Sequence, residues 1–299
     1  MIYFSNGLYA QRFVGSGALA FNGKGWPWEW PLRWLGLIDT DPFVVVAKSL
    51  TRVPWKGNLR WWKPWECVRL IRDGSVNKVG LTNPGVEWWR REIGPRIKSR
   101  NIRLVVSLFG TTEELVEMTP MVDGFDIVGI EVNGSCPNAQ HANETEVIIR
   151  SVCAVVETTN QPVTAKLSVA QDYVAIAKGL VGIAEAVSIN SVPWEKVYPG
   201  KPSPLRRLEK RVGGGGGGVS GKAAQPFTWE AVRRICQEVP EMPVIAPSIW
   251  EYDDIAKVRA LGAKAESFGA IFLRAPWRPT AFVRREIRER QQERERRKS

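Results

Sequence analysis

Apolar, β-branched runs recur along the chain, and most are followed by a stretch whose apolar positions repeat with helical spacing. The runs are Arg12–Ala18, Phe43–Ser49, Ile102–Gly110, Asp126–Asn133, Pro162–Ser168, Ala186–Val192, Met242–Ser248 and Ala263–Gly269. Stretches such as Val44-Val45-Val46 and Leu104-Val105-Val106 have no polar face, as expected of parallel strands covered on both sides. Helices are predicted over Glu87–Ser99, Thr112–Met118, Glu144–Thr158, Asp172–Gly182, Thr228–Val239 and Glu251–Leu261. Thr112 and Thr228 are read as N-caps, whose hydroxyls accept from unpaired first-turn N–H groups. Eight strands alternating with helices predict an α/β fold, a (β/α)8 TIM barrel in a single domain. A doubly wound open sheet is the alternative, but no G-x-G-x-x-G joins the first strand to a helix.

Two kinds of insertion interrupt the alternation. Trp26–Ile38 and Trp55–Arg72 are crowded with tryptophan, and ten of the fourteen Trp lie before residue 90. Gly213–Gly218 is a run of six glycines, read by composition as a flexible loop over the barrel mouth between strands six and seven. The tryptophans are read first as loop packing over the mouth or an oligomer interface. A membrane-interface patch, Trp mixed with Lys and Arg, is the second reading and would admit a quinone as oxidant.

Composition narrows the class. The 299 residues, 44% hydrophobic and 24% charged, exclude disorder and a disulfide-stapled miniprotein. A net charge of +11 would draw nucleic acid, anionic lipid or acidic small molecules. Part of that charge is local: residues 284–299 hold eight basic and four acidic side chains. With no aromatic residue after Phe282, this end reads as a solvated charged helix or tail rather than a nucleic-acid arm. The barrel is accordingly placed at 1–283 and the tail at 284–299. No apolar run reaches membrane-span length and no signal peptide opens the chain, so a cytoplasmic location is expected.

Chemistry is sought at the strand ends, where barrels of this type build their sites. Lys48, Asn133, Lys166 and Asn190-Ser191 are polar residues in or ending otherwise apolar runs. A lysine in a buried strand is costly unless an anion or carbonyl compensates it, so two aimed at one cavity imply an electron-rich or anionic ligand. The four cysteines form no CxxC pair and the only histidine is His141, which argues against a zinc site. Cys136 differs from Cys67, Cys153 and Cys236 in sitting in a polar loop past a strand end, flanked by Asn133 and Asn138, where a thiol can act as base or nucleophile.

In this setting the sequence resembles the dihydroorotate dehydrogenases over almost its whole length. Their N-x-S-C-P-N loop is matched by Asn133-Gly134-Ser135-Cys136-Pro137-Asn138, and their T-K-S segment by Ala47-Lys48-Ser49. The substrate loop N-x-x-G-L is matched by Asn77-Lys78-Val79-Gly80-Leu81, and the flavin-contacting V-K-L by Ala165-Lys166-Leu167. Asn190-Ser191 matches an Asn-Thr/Ser pair, Gly15-Ser16-Gly17 an amino-terminal A-S-G, and Gly217-Gly218-Val219-Ser220-Gly221 a G-G-x-S-G loop. Seven such matches occur in the family's order. A cysteine at the base position is similar to the soluble class. The sequence departs from the pattern at the phosphate grip, where Pro247-Ser248 and Gly269-Ala270 stand for Gly-Gly and Gly-Thr; Pro247 has no N–H to offer.

The resemblance implies FMN-dependent oxidation of dihydroorotate to orotate, a step of pyrimidine biosynthesis. Cys136, as thiolate, would remove the C5 proton while hydride leaves C6 for flavin N5. Lys48, Asn77, Gly80, Leu81, Asn133, Asn138, Asn190 and Ser191 would hold the substrate. Gly15, Ser16, Gly17, Lys48, Lys166, Asn190, Gly218, Ser220, Gly221, Ser248, Gly269 and Ala270 would hold FMN, with Lys166 facing negative charge at the flavin N1 and C2=O edge. The alternatives are a related flavin oxidoreductase acting on another pyrimidine or enoate, favoured by the altered grip, and a non-catalytic barrel. Fumarate, a quinone, oxygen and an electron-transfer partner subunit all stay open as acceptors, and a homodimer is compatible with the sequence.

Overall fold

The computed structural model of the chain describes residues 1–60, 62–135 and 145–296. In chain order the strands are β1 (Ile2–Tyr3), β2 (Tyr9–Ala10), β3 (Arg12–Val14), β4 (Val44–Val46), β5 (Val68–Ile71), β6 (Gly74–Asn77) and β7 (Arg103–Leu108). They continue as β8 (Gly129–Asn133), β9 (Val163–Leu167), β10 (Ala186–Ile189), β11 (Val192–Pro193), β12 (Gly218–Ser220), β13 (Val244–Ala246) and β14 (Ala265–Phe268). Eight of these, β3, β4, β7, β8, β9, β10, β13 and β14, close into a parallel barrel in that order. All eight sequence-predicted runs are barrel strands, so the TIM barrel is the fold.

Packing explains why the runs lack a polar face. Val45, Leu104, Val106, Ile130, Val132, Ala165, Leu167 and Val187 point outward into one buried cluster, shared with helices such as Thr112–Asp123, Thr145–Thr158 and Gln225–Glu238. Phe13, Val44, Val46, Val105, Ala186, Ile245 and Ala265 fill the inside, where Ile2, Phe4 and Ala10 of the β1–β2 hairpin join them. The lower barrel is therefore a solid core, and chemistry is left to the mouth.

Several helix limits differ from the sequence reading. Thr111, not Thr112, caps its helix: Thr111 Oγ1 accepts from Glu114 N at 3.3 Å, and Thr111 N donates to Glu114 Oε2 at 2.9 Å. Thr228 lies inside helix Gln225–Glu238 rather than at its cap, its hydroxyl donating to Ala224 O. The helix expected over Glu87–Ser99 runs only from Val86 to Glu92 and gives way to a turn at Gly94-Pro95-Arg96. The sequence reading missed a four-stranded antiparallel sheet, β11–β12–β6–β5, with very short strands. The glycine run is a correction of another kind. It lies between barrel strands β10 and β13, as placed, with Gly218 opening β12, but is held by specific side-chain bonds to Lys78, Glu195 and Ser203 rather than being a free loop.

The tryptophan segments divide. Trp26 donates to Gly17 O and stacks on Trp28 at 5.5 Å, so part of the first segment covers the loop after β3. Trp34, Trp55, Trp62 and Trp65 are exposed. No helix among the described residues is long and apolar enough to cross a membrane.

At the barrel's lower end, helix Arg278–Arg296 docks through Phe282, Val283 and Glu286. Glu286 accepts from Arg12 at 2.5 Å and from Arg259 and Arg290 at 2.7 Å. Burial pushes its carboxyl up, but the guanidinium groups of Arg259 and Arg12 outweigh that and hold it at about 2. A carboxyl depressed on folding stabilises above its unfolded value near 4.5 and loses that stabilisation as pH falls towards 2. The urea midpoint, followed by tryptophan fluorescence, is expected to fall between about pH 5 and pH 2 and to fall less in Glu286→Gln. Parallel curves for the two proteins would refute this role.

Candidate active site

Side chains alternate across a strand, and on the strands lining the mouth this alternation turns polar residues inward above the apolar floor. Ser107 lies two residues beyond Val105, Asn133 two beyond Glu131, Lys166 two beyond Thr164 and Ser188 two beyond Ala186. Ser107, Glu131, Asn133 and Lys166 are all buried. Lys166 Nζ donates to Glu131 Oε1 at 2.8 Å, and Ser107 Oγ donates to the same oxygen at 2.9 Å.

The bonding around that carboxylate has a single direction. Since the Ser107 hydrogen goes to Glu131, the 2.8 Å contact between Ser49 and Ser107 makes Ser49 the donor. Ser49 then accepts from Asn133 Nδ2 at 2.9 Å. The amide of Asn133 is oriented by Ser135, whose N–H and hydroxyl both donate to Asn133 Oδ1, at 3.2 and 2.6 Å. Asn190 Nδ2 in turn donates to Ser135 Oγ at 2.7 Å. The chain runs Asn190, Ser135, Asn133, Ser49, Ser107, Glu131, with Lys166 donating to the same carboxylate oxygen as Ser107. Every member is fixed by a partner, which is how a buried polar network avoids the cost of an unpaired group. Ser188 Oγ, in register with Lys166 on the next strand, is buried with no hydrogen-bond partner among the described residues.

This network unites several residues picked out in the sequence: Lys166, Asn133 and Asn190, with Ser16 at its edge, donating to Ala47 O at 2.9 Å and 3.3 Å from Ser49 Oγ. Lys48 follows β4, and its chain runs beside Gly17, where an added Cβ would sit 3.6 Å from Lys48 Cγ. Gly15 lies against Gly269, a Cβ there being 3.7 Å from Gly269 Cα. Asn77, Ser191 and Gly218 come together in the small sheet: Asn77 Nδ2 donates to Gly218 O, and a Cβ on Gly218 would fall 2.4 Å from Ser191 Oγ. Gly80 and Leu81 follow β6, Ser220 ends β12 and Gly221 follows it, Ser248 follows β13, and Ala270 follows β14. Cys136, Asn138 and His141 lie outside the described residues. Cys67 is fully buried, and burial pushes its thiol up to about 11 despite the Lys48 ammonium nearby, so it is no base at neutral pH.

Backbone strain marks the same region. Ala20, Leu81 and Ser248 are the non-glycine residues with positive φ among those described, at 58°, 58° and 68°. Ala20 O accepts from Lys48 N, Leu81 is in the Asn77–Leu81 loop, and Ser248 follows β13. Such conformations persist where surrounding structure over-determines them, and they cluster at functional sites.

The profile of the family described as dihydroorotate dehydrogenase matches residues 35–262. The chain belongs to the dihydroorotate dehydrogenase family. It is 33% identical over 243 residues, 78% of this chain and 76% of the relative, to a protein of Desulforudis audaxviator named dihydroorotate dehydrogenase B (NAD(+)), catalytic subunit. A protein of the same name from Archaeoglobus fulgidus is 29% identical over 79% of this chain and 78% of its own. Relatives whose names carry the type A (fumarate) designation match over a similar share; one, from Aeropyrum pernix, is 31% identical over 76% of this chain and 74% of its own.

Dihydroorotate dehydrogenases are flavin oxidoreductases, and the mouth can be tested for a flavin from its own residues. Gly269 faces open space, since a Cβ there would meet nothing within 4 Å. Ser248 holds, at φ 68°, a conformation natural to glycine. Its carbonyl accepts from Gln225 Nε2 at 2.9 Å, which pins it beside the start of helix Gln225–Glu238. Trp250 N and Glu251 N are already taken by Asp254. The open space at Gly269 and the glycine-like backbone of Ser248 fit the approach of a bound group at this rim, and Lys166 is a buried cation at the mouth.

Sequence reading passed over Glu131, Ser49, Ser107 and Ser135 as participants. Glu131 had a signal: a carboxylate in an apolar run, one strand before the run that holds a buried lysine. Ser49 and Ser135 stand in the matched T-K-S and N-x-S-C-P-N segments and were read only as motif positions, while Ser107 had no signal, because a small hydroxyl in a strand is common and only the barrel's register brings these together.

Proposed function

We propose that the chain is an FMN-dependent dihydroorotate dehydrogenase, oxidising dihydroorotate to orotate with Cys136 as base. The observation that carries the reading is the buried Lys166–Glu131 pair at the end of the Asn190-to-Glu131 hydrogen-bond chain, because it sets a fixed cation beside amides at the barrel mouth. The flavin, when bound, takes up the hydride that leaves C6 of the substrate. The chain's own residues do the rest. Cys136 takes the proton from C5, for which a thiol of ordinary pKa about 8.5 needs only modest lowering. Asn133 and Asn190 each use one amide hydrogen in the network, and each amide has a second for the planar substrate. Lys48, Asn77, Asn138 and Ser191 complete the substrate's carboxylate and amide contacts. FMN is the flavin of this reading: Gly221, Ser248, Gly269 and Ala270 would hold its phosphate, and Lys166 would supply positive charge to the ring as negative charge develops on it.

An absorption spectrum before and after anaerobic addition of dihydroorotate tests the proposal. A yellow protein that bleaches is expected. A yellow protein indifferent to dihydroorotate would overturn the substrate and favour another pyrimidine or an enoate, in line with the Pro247-Ser248 departure. A colourless protein that takes up no flavin would overturn the reading altogether. The relatives named as catalytic subunits support an electron-transfer partner subunit as the acceptor, and the type A names support fumarate. Reoxidation of the bleached protein by added fumarate separates the two.

A further inference from the structure

The six glycines do more than bend. Lys78 Nζ donates to Gly213 O at 2.5 Å and to Gly214 O and Gly215 O at 2.6 Å. Three carbonyls match the three hydrogens of an ammonium. The following peptides are held one by one. Gly216 N donates to Glu195 Oε1, Ser203 Oγ donates to Gly216 O at 2.6 Å, and Trp194 N donates to Gly217 O at 2.8 Å. Gly218 then pairs with Asn77 in the β6–β12 ladder.

Side chains could not replace these glycines. Gly213, Gly214 and Gly217 have φ of 70°, 63° and 103°, a region that L side chains avoid. A Cβ on Gly215 would lie 2.8 Å from Glu195 Oε1, and one on Gly216 2.8 Å from Ser203 Cβ. The run is thus a carbonyl cradle closed by one cation. Partial burial lowers the Lys78 pKa, and the negative charges of Glu209 and Glu195 offset only part of that.

Lys78 is also the residue directly after Asn77 in the Asn77–Leu81 loop, and the strand it closes places Gly218 against Ser191. One ammonium therefore joins the glycine run to two segments assigned above to substrate. We propose that Lys78 is a positioning residue, a clasp that holds the glycine run as a fixed rim and keeps Asn77 and Ser191 in place for substrate binding. The role in substrate binding rests on the proposed function; the clasp itself does not.

The test uses flavin-loaded protein. In Lys78→Met, trypsin is expected to cut after Lys210 or Arg211, in the helix Arg206–Val212 that leads into the run, about tenfold faster than in the unaltered protein. KM for dihydroorotate is expected to rise about tenfold while kcat stays within about threefold, since binding geometry is lost and the base and ring contacts are not. Bound flavin and its visible spectrum should be unchanged, whereas general unfolding would lower flavin content and kcat together. Lys78→Arg, which keeps the charge, should restore part of both effects. Unchanged nicking would overturn the clasp, and faster nicking with unchanged KM would overturn its role in substrate binding. The nicking arm needs no substrate, so a protein that fails to oxidise dihydroorotate would sink the proposed function and leave the clasp to be decided by proteolysis.

Discussion

Replacing Cys136 with alanine is expected to leave the flavin bound and to slow its reduction by dihydroorotate by about 10²–10⁴-fold, the range that a positioned general base supplies. Stopped-flow bleaching under anaerobic conditions measures it. Rapid bleaching in the alanine variant would remove Cys136 from the role of base. Cys136→Ser is the informative companion, because a hydroxyl is a far weaker acid than a thiol: activity should be low at neutral pH and climb as pH rises.

The second large effect concerns the Lys166–Glu131 pair. Lys166→Met should slow flavin reduction by about 10²–10³-fold, the usual cost of losing one fixed electrostatic partner of developing charge. It should also destabilise the fold by about 3–5 kcal/mol, because Glu131 is left as a buried, uncompensated carboxylate. Adding Glu131→Gln to it removes the orphan charge while keeping an acceptor for Ser107. The double variant is therefore expected to be more stable than Lys166→Met alone, yet no faster in flavin reduction. Urea unfolding and stopped-flow rates of the two singles and the double give the coupling directly. If stability and rate recover together, Glu131 belongs to the chemistry; if neither recovers, the pair is not coupled as the geometry requires.

Much of this protein is legible without coordinates. The eight barrel strands announce themselves because a parallel strand with helices outside and side chains inside has no face left for polar residues, so Val44–Val46 and Leu104–Val106 read as continuous apolar runs. The motif loops are legible for a related reason: Lys166 in an apolar run is costly anywhere but beside a partner. What escaped was whatever depends on contacts distant in sequence. The sheet β11–β12–β6–β5 has strands of two to four residues, too short to carry a period. The glycine run looks unconstrained by composition, and only Lys78, some 135 residues away, makes it rigid.

The sequence by itself determined the barrel, the family and the identities of the candidate ligands, because burial pattern and local motif chemistry are properties of neighbouring residues. Only the tertiary structure decided which groups are already committed to one another. Glu131 meets Lys166, Ser49 meets Ser107 and Asn133 meets Ser49 because the register of adjacent parallel strands sets residues from remote parts of the chain at hydrogen-bond distance. A hydrogen-bond direction exists only once that register is fixed.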